Sequence, residues 1–200
     1  QEPVAHVRRI FLAEHLPTFS PKPHLSESTM TAPNPLACHI RSATAADAET
    51  ILAFIHELAV YEREPAAVKT SADVLRAQLN SASPPFECLL AVTSDDEALG
   101  FALFFHNYST WRGARGLYLE DLFVPQRYRK RGVGSALLRT LAAIAVERDC
   151  ARMEWAVLDW NQLAIDFYVN IGAVPMSEWT TFRLTGAPLL ALASSTSQPT

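Results

Sequence analysis

Cysteine is nearly missing from this chain: Cys38, Cys88 and Cys150 are the only three in 200 residues, and they lie 50 and 62 positions apart. An odd count at that spacing is neither a disulfide framework nor a zinc-ligand pattern. It points to a reducing compartment, with the cytoplasm as the expected location and no metal expected. Long apolar runs are also lacking. None approaches the ~18–20 residues of a membrane span, so no membrane partner is expected. A basic excess is absent too, with a net charge of −4 and only 19% charged residues. That balance argues against a general nucleic-acid binder. What is present is 49% hydrophobic residues, enough for one domain with a real core plus a tail.

Six of the 13 prolines and no glycine fall in residues 1–37, which read as a mostly irregular N-terminal arm. Arg8, Arg9 and Phe11 make a poor secretory leader, because no continuous apolar stretch follows them. Glu2, Glu14 and Glu27 weigh against a transit peptide, and Met30 is an alternative start just before the folded part. The folded domain is expected over 38–192, with 193–200 as a tail.

Within it, 38–41 reads as a short strand. Ile51, Leu52, Phe54, Ile55, Leu58 and Ala59 then share one helical face. A second helix is expected over 71–79. Strands at 88–92 and 99–107 flank an acidic turn at 94–97, and 118–124 is a third apolar strand. A helix at 135–148, a strand at 152–158, a helix at 162–170 and a last strand at 180–184 complete the pattern. Helices inserted among runs of strands, rather than strict alternation, predict an α+β fold with a mixed sheet.

The stretch from Val124 to Leu138 runs from the end of an apolar strand, through a basic turn, into an amphipathic helix. Gly132 and Gly134 allow backbone N–H groups to approach a ligand with no Cβ in the way. The helix directs its positive end at the same point, which suits a phosphate or pyrophosphate. Two glycines alone equally describe a tight turn with a solvated basic rim. Just upstream, Glu120 and Asp121 alternate across the strand. A buried Glu120 would have a raised pKa and could act as a general base, while an exposed one would be an edge-strand charge. Downstream, Asn161 either caps a helix or donates its amide to a ligand. Tyr168 either packs at the core or rim or returns a proton to a leaving thiolate, and Gly172 suits a helix C-terminus.

In order, an acid-bearing strand, an Arg-x-x-Gly-x-Gly turn, a helix, a strand, an Asn, and a helix with Tyr then Gly resemble the GNAT acetyltransferase superfamily. Tyr118-Leu119-Glu120-Asp121, the turn from Arg129 to Ser135, Trp160-Asn161, and Phe167-Tyr168 with Gly172-Ala173 are similar to the spermidine/spermine (diamine) N-acetyltransferase family. Ile40-Arg41, Ala43-Thr44, Ala46-Asp47, Glu57-Leu58-Ala59, Tyr61-Glu62 and Gly100-Phe101-Ala102 extend the likeness over about residues 39–190.

The resemblance implies a GNAT acyl-CoA acyltransferase fold, a central mixed twisted sheet flanked by helices, usually in a homodimer. It implies acetyl transfer from acetyl-CoA to a primary amine by direct attack. Glu120 would take the ammonium proton, through water. Leu122, Phe123 and Val124 would hold the thioester carbonyl and pantetheine arm through their backbone. Arg129, Lys130, Arg131, Gly132, Val133, Gly134 and Ser135 would cradle the pyrophosphate. Asn161 and Ala164 would lie along the pantetheine, and Tyr168 would protonate the CoA thiolate.

Tyr61, Glu62, Glu120 and Asp121 match acidic or aromatic positions of the family's amine pocket, and carboxylates there favour a cationic substrate. In the polyamine branch an Asp-Pro-Trp follows the Tyr at the third strand, whereas here Tyr108 is followed by Ser109, Thr110 and Trp111. That departure resembles the thialysine-acetylating branch, and hydroxyls at Ser109 and Thr110 would suit an amino acid's polar α-groups. Thialysine or a lysine-like amino acid is therefore the expected acceptor, with polyamines second. After Tyr168 the family often carries basic residues, but Val169-Asn170-Ile171 follow here. A contact to the CoA 3′-phosphate would be lost, which Lys130 and Arg131 could replace. A non-catalytic acyl-CoA-binding module would need neither Glu120 nor Tyr168, and the presence of both counts against it. Nucleic-acid binding through Arg127 to Arg131 is remote in so acidic a chain.

Overall fold

The computed structural model describes residues 35–194. The arm expected over 1–37 therefore lies, apart from its last three residues, outside the described residues, as does most of the tail. Strand β1 (His39–Ser42) leads through a single 3₁₀ turn into helix α1 (Ala48–Tyr61). The entry is fixed electrostatically. Arg41 donates to Asp47 at 2.8 and 3.0 Å and to Asp96 at 2.7 Å, and Thr44 N–H donates to Asp47 at 2.7 Å. These partners hold the Asp47 carboxyl down at about 2, the Arg41 hydrogen bond contributing most. Helix α2 (Ala72–Leu79) starts where the Ser71 hydroxyl accepts the Val74 N–H at 3.3 Å.

Strands β2 (Glu87–Val92), β3 (Ala98–Ser109) and β4 (Ala114–Phe123) follow as an antiparallel meander. Helix α3 (Val133–Glu147) then crosses over, so that β5 (Met153–Trp155) returns parallel to β4. The result is one mixed sheet in the order β1-β2-β3-β4-β5, followed by α4 (Gln162–Asn170) and α5 (Gly186–Ser194).

Alternation along β2 and β3 separates two cores. On one face Leu89, Ala91, Ala102 and Phe104 pack against Val133, Leu137, Leu138 and Leu141 of α3. On the other, Leu90, Val92, Phe101 and Leu103 meet Ile51 and Phe54 of α1 and Leu75 of α2. Phe54 stacks on Phe101 at 5.7 Å.

Two expectations are corrected. The strand expected over 152–158 ends at Trp155, because residues 156–161 leave the sheet to wall a cleft. Residues 180–184 form no strand: the described sheet offers them no neighbour, and Phe182 is 92% exposed. A helix, α5, follows them instead, with no buried residue. Pro188 sits in its first turn, where the missing N–H costs nothing.

Candidate active site

The cleft begins with one extra residue in β4. That strand pairs Leu119 with Phe104 and Asp121 with Leu103, which leaves Glu120 between them as a bulge. Residues directly opposite share a face. Leu119 therefore lies with Phe104 on the α3 face, and Asp121 is turned to the α1 face with Leu103. Without the bulge Asp121 would lie on the α3 face. On the other edge, β4 pairs β5 only from Leu117 to Leu119. Beyond that point the two strands part over a cleft of about 970 Å³.

The bulge redistributes the two carboxyls. Glu120, whose base role depended on burial, is exposed. Burial falls instead on Asp121, and it pushes that carboxyl up to about 6, helped by the charges of Glu120 and Glu62. Glu62 is also pushed upward, by desolvation at the cleft rim.

Beyond Phe123 the chain makes a 3₁₀ turn at Gln126–Tyr128 and reaches α3 through two left-handed residues, Lys130 (φ 59°) and Gly132 (φ 87°). Gly132 caps α3 without a side chain. The first helical bond is Ala136 N–H to Gly132 C=O. The amides of Val133, Gly134 and Ser135 thus precede the helical ladder and, with the helix dipole behind them, suit an anion. Arg129 Nε donates to the Val124 carbonyl at 2.8 Å, and its guanidinium lies 4.5 Å from the Tyr61 ring centre. Its charge is thereby held against the end of β4.

The opposite wall is α4 and the loop before it. Asn161 caps α4, accepting Ala164 N–H at 3.4 Å, and also accepts the Tyr61 hydroxyl at 3.1 Å. Tyr168 packs 4.9 Å from Trp155 and 5.5 Å from Phe167. Burial pushes its phenol up, and its hydroxyl has no hydrogen-bond partner among the described residues.

Tyr61, Glu62, Glu120, Asp121, the β4 end from Leu122 to Val124, Arg129, Lys130, the run from Gly132 to Ser135, Asn161, Ala164 and Tyr168 all line the one cleft. Three anticipated residues do not. Arg131 is off the cleft wall, and its carbonyl accepts Leu36 N–H at 3.0 Å. Ser109 is buried, with its hydroxyl accepting Arg112 N–H at 3.3 Å, and Thr110 is exposed at the β3–β4 turn. Leu58, Gln126, Tyr128, Leu163 and Phe167 join the wall unforeseen. The signal for the last two was there: Leu163 and Phe167 are four apart and form one row along α4, next to the row that Ala164 and Tyr168 form at the same spacing.

Two splayed parallel strands, a left-handed glycine turn at a helix N-terminus, and a phenol on the facing helix define an acyltransferase of the GNAT fold. Residues 47–173 match the acetyltransferase (GNAT) family. The chain is 38% identical over 164 residues to the thialysine N-epsilon-acetyltransferase of Bos taurus, covering 77% of this chain and 96% of that protein. It is 37% identical over 164 residues to the human spermidine/spermine N(1)-acetyltransferase-like protein 1, covering 77% of this chain but 23% of that one. Among solved structures, an integron cassette protein from the mobile metagenome of V. cholerae superposes with a TM-score of 0.66 at 28% identity, covering 79% and 98% of the two chains. The chain belongs to the GNAT acetyltransferase family.

Proposed function

We propose that this chain acetylates the side-chain primary amine of thialysine or a lysine-like amino acid, with acetyl-CoA as donor. One observation carries the reading: a single cleft joins an anion-binding backbone turn to a cluster of carboxylates, with the Tyr168 phenol on its wall. The likeness to the bovine enzyme supports the amino-acid substrate.

Lys130 and the run from Gly132 to Ser135 take the pyrophosphate on backbone N–H groups, and the backbone from Leu122 to Val124 takes the thioester end. Glu62 and Asp121 hold the cationic acceptor. Glu120, exposed to solvent, receives the ammonium proton through water. The freed amine attacks the thioester carbon, forming a C–N bond and an oxyanion. The C–S bond then breaks, Tyr168 gives its proton to the departing thiolate, and the second proton of the attacking nitrogen leaves through water to restore the phenol and yield the neutral amide. A phenol held protonated by burial is suited to that donation. Ser109 and Thr110 lie outside the cleft of their own protomer, so neither is given a role there.

The alternative acceptor is a di- or polyamine, favoured by three carboxylates in one cleft and by the human relative. Thiol release from acetyl-CoA with thialysine, lysine, diamines and spermidine separates the readings. Fastest turnover with thialysine is expected. Preference for spermidine would move the chain to the polyamine reading, and no turnover with any amine would remove both.

We also read the chain as a cytoplasmic homodimer. No described helix is long and apolar enough to cross a membrane. Trp179 and Leu190 are 68% and 70% exposed, α5 buries nothing, and among the described residues β5 has a neighbour on one edge alone. Such apolar surface is the kind a partner covers. Light scattering behind a sizing column would give twice the chain mass, and a monomer would refute the pairing.

A further inference from the structure

We propose that Tyr61 is a positioning residue for the donor side: from the end of α1 it orients the Asn161 amide and seats α4 across the cleft. The inference rests on the acetyl-transfer reading above. The Asn161 oxygen accepts two hydrogen bonds, from Ala164 N–H and from the Tyr61 hydroxyl. A backbone N–H can only donate, so the oxygen must face the helix, and the phenol occupies its second lone pair. The Asn161 NH₂ is thereby turned away from both. It has no partner among the described residues, and its side chain lies on the cleft wall. The group it can recognise is a hydrogen-bond acceptor such as a carbonyl.

Few other restraints hold this wall. Helix α4 buries no residue, and β5 ends at Trp155, before the loop that precedes it. Phe167 and Tyr168 lean on the α3-side core, and Tyr61 fixes the other end. The Tyr61 ring lies 5.8 Å from Trp160 and 4.5 Å from the Arg129 guanidinium, which is itself bonded to Val124. One side chain thus ties α1 to the α4 entrance and to the end of β4. Tyr168 is about two helical turns beyond that tie. Tyr61 also stands beside Glu62 on the acceptor side, so a residue of one half sets the geometry of the other.

The test varies acetyl-CoA and thialysine separately and measures acetyl-CoA binding by calorimetry. Tyr61→Phe keeps the ring and removes only the donor. It is expected to weaken acetyl-CoA about tenfold in KM and Kd, the size of one well-placed hydrogen bond with the orientation it imposes. The thialysine KM should move less than about twofold by the same arithmetic. Asn161→Asp preserves both accepted bonds and the helix cap, so Tm holds, but it replaces the outward donor with an acceptor and should weaken acetyl-CoA at least as much. In an Asn161→Ala background Tyr61→Phe should add almost nothing, because the two act as one unit. An equal effect of Tyr61→Phe in both backgrounds, an unchanged acetyl-CoA Kd, or a change confined to the thialysine KM would each overturn the proposal. If the wild-type chain binds acetyl-CoA but acetylates no amine, the transfer reading fails while the binding cycle still decides the role of Tyr61. If it does not bind acetyl-CoA, both fall.

Discussion

The two halves of the cleft are built from different material. In the proposed reading the donor half is mostly backbone: the amides at the start of α3, the left-handed turn at Lys130 and Gly132, and the end of β4. The acceptor half is mostly side chain: Tyr61, Glu62, Glu120 and Asp121. A backbone site depends on φ and on close packing, so it tolerates few conformational changes but many side chains. A side-chain site can be retuned by one substitution while the fold stays. On that reading the pairing would let a fixed donor chemistry serve different acceptors.

Tyr168 stands between the halves, so its loss should have the largest effect. Tyr168→Phe is expected to lower kcat about 10²-fold or more, as for loss of a general acid, with acetyl-CoA binding almost intact. Unchanged turnover would remove Tyr168 as the proton donor. Next comes the turn. An L-residue in the left-handed region costs about 1–2 kcal/mol, so Gly132→Val should raise the acetyl-CoA KM about tenfold and leave the thialysine KM alone.

Asp121 gives a smaller effect with a defined sign. Its carboxyl titrates near 6, against an ordinary value of 3.8. The folded state therefore keeps a proton that the unfolded chain loses between those values. The penalty is absent below about 4, grows as pH rises toward 6, and persists above it. Asp121→Asn should raise Tm at pH 7.5 by the equivalent of about 1–2 kcal/mol and change it little at pH 4. The thialysine KM of the wild type should fall as pH rises through about 6, and the variant should lose that dependence. A wild-type KM flat across that range would take Asp121 out of cation binding.

The smallest effect lies far from the cleft. Asp47, held near 2 against 3.8, stabilises the fold above about pH 4, and that contribution is lost as pH falls toward 2. Asp47→Asn should flatten the acid limb of a Tm-against-pH curve, by about 1 kcal/mol for a partly buried pair.

The same division explains what was legible beforehand. Helix α4 could be bounded at Gln162–Asn170 because Asn161 caps it and Gly172, at φ 89°, lies just past its end. The donor turn was legible because its glycines and basic residues are contiguous. The bulge was not: Leu119-Glu120-Asp121-Leu122 reads as an ordinary strand, and the extra residue exists only relative to β3. Hence the buried carboxyl was sought at Glu120 and found at Asp121. Residues 156–158 and 180–184 have strand-like composition, but a strand also needs a neighbour, and the described sheet gives them none. The Tyr61–Asn161 bond joins residues 100 positions apart, a separation at which no local pattern speaks.

The division itself is tested most directly by one matrix of constants: KM for acetyl-CoA and for thialysine, each measured in Gly132→Val and Asp121→Asn. Two large diagonal changes with small off-diagonal ones are predicted, the glycine variant affecting only the donor and the aspartate variant only the acceptor. Both variants shifting both constants by similar factors would contradict it.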